Sequence, residues 1–172
     1  MGRDKALLPF RGGVLGESVA RAVECAAGSA VLVGNPELGG RFGYPAIADL
    51  HPGEGPLGGI LTALAHTAAD WNLVVACDMP GVTGEFLRGL IEAAERLGAG
   101  ALVPAGPSGI PEPLCAVYHG SSRAALETAF RCGVRQMTEG IGRLRTVIYP
   151  VPQLALFQNV NTPEEWAAHA PK

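Results

Sequence analysis

The sequence is poor in lysine: of thirteen basic residues only Lys5 and Lys172 are lysines, and the arginines are scattered without a run. With a net charge of −3, the chain lacks the basic patch of a nucleic-acid binder. The four cysteines, Cys25, Cys77, Cys115 and Cys132, form no C-x-x-C pair. Reduced thiols in a cytoplasmic protein fit this spacing better than a disulfide framework or a zinc site. His51, His66, His119 and His169 show no ligand spacing and read as surface or core residues without a role. No apolar run approaches the roughly 20 residues of a membrane span, and the run after Lys5 is too short for a signal peptide. What remains is 172 residues, 48% hydrophobic and 17% charged, the composition of one globular domain over residues 1–172.

The chain alternates strand-like and helix-like segments. Residues 7–10 are a short apolar run closed by a turn at Arg11-Gly12-Gly13. Val19, Val23 and Ala26 share one face of a helix over 16–27, stopped by Gly28. A strand at 30–33 precedes a loop to about 44, and Ala46-Ile47-Ala48 leads into Asp49. A helix over 57–69, a strand at 72–77, a Thr83-capped helix to about 97 and a strand at 101–103 follow. Residues 104–111 read as a loop, 114–118 as a strand, 121–131 and 134–142 as helices and 145–150 as a strand. Thr162-Pro163-Glu164-Glu165 has the cap, proline and acids of a final helix start. Strands separated by helices of this length predict an α/β fold in three layers, a mostly parallel central sheet with helices on both faces.

Three predicted strand ends carry polar groups: Gly34-Asn35, Asp49 and Asp78. Ligands of parallel sheets bind at the carboxyl ends of the strands. Each acid alone could simply cap the turn that follows it. Two acids and an amide at one edge suit a metal ion with a nucleotide, because magnesium takes one or two carboxylates beside substrate phosphates. Cys77, next to Asp78, could serve as a nucleophile, but a small buried apolar residue is the favoured reading. Gly53-Glu54-Gly55-Pro56-Leu57-Gly58 opens a helix whose amides favour anions. It formally matches G-x-G-x-x-G, with Asp78 twenty residues on. Pro52 and Pro56 spoil the tight turn of a dinucleotide fingerprint, so an oxidoreductase is discounted. Asp4-Lys5 read alone is a solvated surface pair, although a lysine there suits phosphate. Asn159 and Asn161 put two amides on one face before Thr162.

In this order the pieces resemble the MobA-type molybdenum cofactor guanylyltransferases. The matching segments are Met1-Gly2-Arg3-Asp4-Lys5, Gly55-Pro56-Leu57-Gly58-Gly59, Cys77-Asp78-Met79-Pro80, Glu112-Pro113-Leu114 and Asn159-Val160-Asn161-Thr162-Pro163-Glu164-Glu165. The resemblance implies a nucleotidyltransferase, Rossmann-like fold and magnesium-dependent transfer of GMP from GTP to the phosphate of molybdopterin, with release of pyrophosphate. It implies that Lys5 neutralises nucleotide phosphates, that Asp78 holds magnesium at the α-phosphate, and that Asp49, Asn35 and the loop Gly55, Pro56, Leu57 and Gly58 contact the nucleotide. Asn159 and Asn161 become the pterin-side residues, and molybdoenzyme-specific chaperones become partners.

Such families begin with a strand and an L-A-G-G loop ending in R-M-G, and Met1-Gly2 stands where that M-G would be. The expectation is therefore that the first strand and the phosphate loop are absent from this sequence and that its transfer activity is weak. The competing readings are a CTP-using molybdopterin cytidylyltransferase or related nucleotidyltransferase, and a non-enzymatic nucleotide- or partner-binding protein of molybdoenzyme maturation.

Overall fold

A computed structural model describes residues 5–157; the expected roles of Asn159 and Asn161 and the helix start at Thr162 lie outside them. Lys5–Leu7 form a 3-10 turn. A small antiparallel hairpin follows, β1 (Pro9–Phe10) and β2 (Gly13–Val14), with its turn at the expected Arg11-Gly12. Helix α1 (Leu15–Ala27) buries Leu15, Val19 and Ala20, the face its apolar spacing picks out. Strand β3 (Leu32–Gly34), helix α2 (Glu37–Phe42) and strand β4 (Ala46–Ala48) come next. The expected loop to residue 44 thus contains one short helix, anchored by the buried Phe42.

Helix α3 (Pro56–His66) starts on proline, whose missing N–H is no loss in a first turn. Strand β5 (Trp71–Val75) leads to helix α4 (Gly84–Leu97), whose cap is as expected: Thr83 Oγ1 accepts from the Phe86 N–H at 3.3 Å. Strands β6 (Ala101–Ala105) and β7 (Cys115–His119), helices α5 (Arg123–Arg131) and α6 (Met137–Ile141) and strand β8 (Thr146–Pro150) complete the regular elements.

The main sheet has the order β5-β7-β6-β8. Strands β5, β6 and β8 share a direction, and β7 runs against both its neighbours. Strict alternation across the register sends side chains to two cores. Leu73, Val117 and Leu102, opposite one another in the ladder, face α1 and α4. Val74, Ala116, Ala101, Val103 and Tyr118 face α3, α5 and α6. The result is helix, sheet, helix, with β6 buried along its whole length. Burying a side chain such as Leu102 or Val117 contributes about 1.5–3 kcal/mol each, so the two cores fix the sheet that carries the site.

Strands β3 and β4 form a separate parallel pair. Among the described residues no ladder joins this pair to the main sheet. Between β3 and β5 lies a cleft of about 560 Å³, walled by Leu32 and Val33 on one side and Leu73 to Val75 on the other. Val19 and Val23 of α1 and Ile60 and Ala63 of α3 complete its lining.

Candidate active site

The cleft collects polar groups from both sheets. Asn35 follows the end of β3, Asp49 follows β4, and Asp78 lies three residues past β5. All three line the cleft together with Pro56 and Gly59 at the start of α3. The short apolar strands end there because each is followed by residues that favour turns, and the carboxylates are delivered as the chain leaves the sheet.

Lys5 and Asp78, 73 residues apart, meet in an ion pair: Lys5 Nζ donates to Asp78 Oδ2 at 2.9 Å. Their side chains are 34% and 18% exposed, so the pair sits at the cleft's edge, partly shielded from solvent. Lys5 is therefore placed against the strand-end acid. Near them Glu112 is a second carboxylate. Burial, and then the negative charge of Asp78, push its carboxyl above the ordinary carboxylate range. Burial likewise pushes the Cys115 thiol up to about 12 and the Tyr118 hydroxyl well above its usual value. The Tyr118 hydroxyl donates to the Pro113 carbonyl at 2.7 Å, tying a side chain from the far half of β7 to the turn that contains Glu112.

Asp49 is locked by a buried threonine. Thr62, 1% exposed in the middle of α3, is a buried polar side chain of the kind that must find partners. Its hydroxyl lies 2.8 Å from Asp49 Oδ1 and 3.0 Å from the Gly58 carbonyl, and it accepts the Leu50 N–H at 3.0 Å. Asp49 Oδ1 also accepts the His51 N–H at 2.9 Å. Both readings of Asp49 are thus realised in one place: it caps the turn after β4, and it lines the cleft. Asn35 does the same on a smaller scale, its Oδ1 accepting the Glu37 N–H at 3.0 Å beside the cleft.

The glycine loop is shaped by two constraints. Gly55 has φ 83° and ψ −178°, a conformation essentially confined to glycine. At Gly58 a Cβ would come within 2.8 Å of the His51 Cβ, so only glycine lets the loop fold over the helix start. Of the expected nucleotide-binding residues, Asn35, Asp49, Pro56 and Asp78 reach the cleft, and Lys5 joins them through Asp78. Leu57 instead points wholly into the α3 core, and Gly55 and Gly58 shape the loop from behind. Cys77 is exposed, correcting the buried reading: β5 ends at Val75, so Cys77 belongs to the loop beyond it, and Cys115 is the buried thiol. Sequence reasoning missed Thr62, and it singled out Glu112 only within a matching segment, without a role. The available signals were a β-branched polar residue four places after Gly58 in an otherwise apolar helix stretch, and a lone acid between two prolines.

The donor set suits one kind of metal. Among the described residues no group of three or more His, Cys, Asp or Glu could hold an ion by itself. Asp78, with Glu112 nearby, fits a hard cation that takes one or two carboxylates and completes its shell with substrate phosphates.

Comparison with known proteins bears on the family and the fold. A family profile described as MobA-like NTP transferase domain matches residues 1–147. A Methanothermobacter thermautotrophicus protein named "Probable molybdenum cofactor guanylyltransferase" is 41% identical over 125 residues, covering 69% of this chain and 63% of its own length. The chain thus matches somewhat less than two thirds of that relative. A Xanthomonas euvesicatoria protein named molybdenum cofactor guanylyltransferase is 32% identical over 97% of this chain and 86% of its own. Among solved structures, molybdopterin-guanine dinucleotide biosynthesis protein A from Archaeoglobus fulgidus superposes with a TM-score of 0.81 at 34% identity, covering 98% of this chain and 89% of that one. A Thermus thermophilus 2-C-methyl-D-erythritol 4-phosphate cytidylyltransferase, 19% identical, shares the fold with a TM-score of 0.72, covering 96% and 91% of the two chains.

Proposed function

The chain belongs to the MobA-like NTP transferase family, and on that premise we propose that it transfers GMP from GTP to the phosphate of molybdopterin, releasing pyrophosphate. The observation that carries this reading is the Lys5–Asp78 pair at the edge of a cleft lined by Asn35, Asp49 and Pro56. A cation and a carboxylate side by side are the parts that phosphoryl transfer needs, since its catalysis is mostly positioning and charge neutralisation. A phosphate oxygen of molybdopterin attacks the α-phosphorus of GTP, forming one P–O bond, while the bond to the β-phosphate oxygen breaks and pyrophosphate carries the electron pair away. The attacking phosphate is already anionic, so no general base is required.

Lys5 orients and neutralises the nucleotide phosphates. Asp49, fixed by Thr62, and Asn35 meet the guanosine portion, with Pro56 and the glycine loop as its wall. Asp78, assisted by Glu112, is the place for magnesium, which supplies charge neutralisation at the α-phosphate when bound. Asn159 and Asn161 are assigned to the pterin side, and molybdoenzyme-specific chaperones would receive the product in the cytoplasm. No described helix is long and apolar enough to cross a membrane.

Titration calorimetry with GTP and with CTP, each with magnesium, tests the reading, with product analysis on the same samples. Expected is tighter binding of GTP than of CTP, and a fall in GMP transfer on the order of a hundredfold in Asp78→Ala, comparable to loss of one transition-state contact. Tighter CTP binding removes the guanylyl assignment, and transfer undiminished in Asp78→Ala removes Asp78 from the site.

A further inference from the structure

Beside the cleft a second cluster of side chains grips the glycine loop from behind. Arg135, in the connection between α5 and α6, donates from Nε to Glu54 Oε2 at 2.6 Å. Its Nη1 donates to the carbonyls of Phe130 at 2.7 Å and Val134 at 3.0 Å. Its guanidinium lies over the Phe130 ring, 4.0 Å from the centroid. The same ring packs against His51, centroids 4.7 Å apart. His51 in turn accepts the Glu54 N–H on its carbonyl at 3.1 Å. The backbone joins in, for a Cβ on Gly55 would lie 3.6 Å from the Arg135 carbonyl.

The loop from His51 to Gly55 therefore has both ends of one brace: His51 through Phe130, and Glu54 through Arg135. It needs one. Gly53 and Gly55 both have positive φ, 78° and 83°, and glycines lose more conformational freedom on ordering than any other residue. Nothing in the loop itself is a regular element that would hold Asp49 on one side and Pro56 on the other at a fixed distance.

We propose that Arg135 is a positioning residue for nucleotide binding, holding the loop of residues 51–55 in its ligand-ready shape through Glu54 and the Phe130 ring. This rests on the reading that the loop forms the nucleotide's wall. Arg135 touches neither Lys5 nor Asp78 in the observed contacts, so its effect falls on affinity and not on the chemical step. Arginine is suited to the task because its planar fork serves a carboxylate, two carbonyls and an aromatic face together, which the point charge of lysine cannot do.

The test uses the full chain with Arg135→Ala, Arg135→Lys and Glu54→Gln. Backbone amides of residues 53–58 are followed by hydrogen exchange without nucleotide, and GTP with magnesium is titrated into each variant. Arg135→Ala is expected to speed exchange at residues 53–58 about tenfold or more, leave exchange in β3 and β6 unchanged, and weaken GTP binding about tenfold, the cost of ordering a loop no longer preorganised. Where turnover is measured, the Michaelis constant for GTP rises and the turnover number stays within about twofold. Arg135→Lys and Glu54→Gln fall between. Unchanged exchange at residues 53–58 in Arg135→Ala overturns the proposal, as does unchanged GTP affinity with a lowered unfolding midpoint. The two readings fail separately: wild-type protein that binds no GTP overturns the proposed function, while the exchange result still tests the brace.

Discussion

Replacing Thr62 with valine removes one hydroxyl and leaves the shape of α3 almost untouched, which makes it a clean probe of how Asp49 is held. The side chain is 1% exposed. Its single proton is shared between Asp49 Oδ1 and the Gly58 carbonyl, and its oxygen accepts the Leu50 N–H. The bond donated to a carboxylate is the stronger kind, about 1.5–3 kcal/mol net, and the accepted Leu50 bond is worth about 0.5–1.5 kcal/mol. Leu50 is largely exposed, so water can take over its N–H. Asp49 keeps the His51 N–H. The expected loss is therefore about 2 kcal/mol, or about 4–8 °C in melting temperature for a chain of this length. Urea unfolding followed by circular dichroism measures it, with an unchanged slope showing that the compactness of both states is preserved. Thr62→Ser keeps the hydroxyl and loses only a methyl, so it should cost about half as much. A loss below about 0.5 kcal/mol in Thr62→Val, or equal losses in the two variants, would show that the hydroxyl does not hold Asp49 and would refute the reasoning.

Two further outcomes follow from burial. A thiol reagent at pH 8 should modify Cys25, Cys77 and Cys132 in the native protein, while Cys115, buried with its thiol pushed up to about 12, reacts only on unfolding; a fourth equivalent consumed by folded protein contradicts this. Glu112 has a folded pKa raised above its unfolded value, so the folded state keeps a proton the unfolded state has lost, and stability falls as pH rises through that window. Glu112→Gln removes that slope. Urea midpoints from about pH 4, the ordinary carboxylate range, to neutrality should show the variant gaining on the wild type as pH climbs, and a constant difference would count against the placement of Glu112.

Local pattern carried most of the elements. The 3.6-residue spacing of Val19, Val23 and Ala26, the Thr83 cap and the run ending at Asp49 are written in neighbouring residues, and the fold follows them, whereas the run before Asp78 leaves the sheet early, at Val75. Helix α2 was not legible because Glu-Leu-Gly-Gly-Arg-Phe has weak intrinsic helicity, and its stability comes from burying Phe42 against distant parts of the chain. The reversed direction of β7 was half legible: a proline- and glycine-rich loop joins it to β6 where a parallel neighbour would need a crossover helix. At the site, the acids were visible as interruptions of apolar runs. Arg135, Glu54 and Phe130 were not, since their meaning lies in contacts between residues 81 positions apart that no local spacing encodes.

The cleft between β3 and β5 gives the helices an additional task. Asp49 and Asn35 ride on the smaller sheet, and Asp78 leaves the larger one. Among the described residues no ladder spans the gap; α1 packs on β5, α3 packs on β3, and Val19 and Ile60 line the space between them. The two halves of the binding machinery thus stand on separate frames, and a methylene added or removed at Val19 or Ile60 is a way to vary their separation without touching a single polar group.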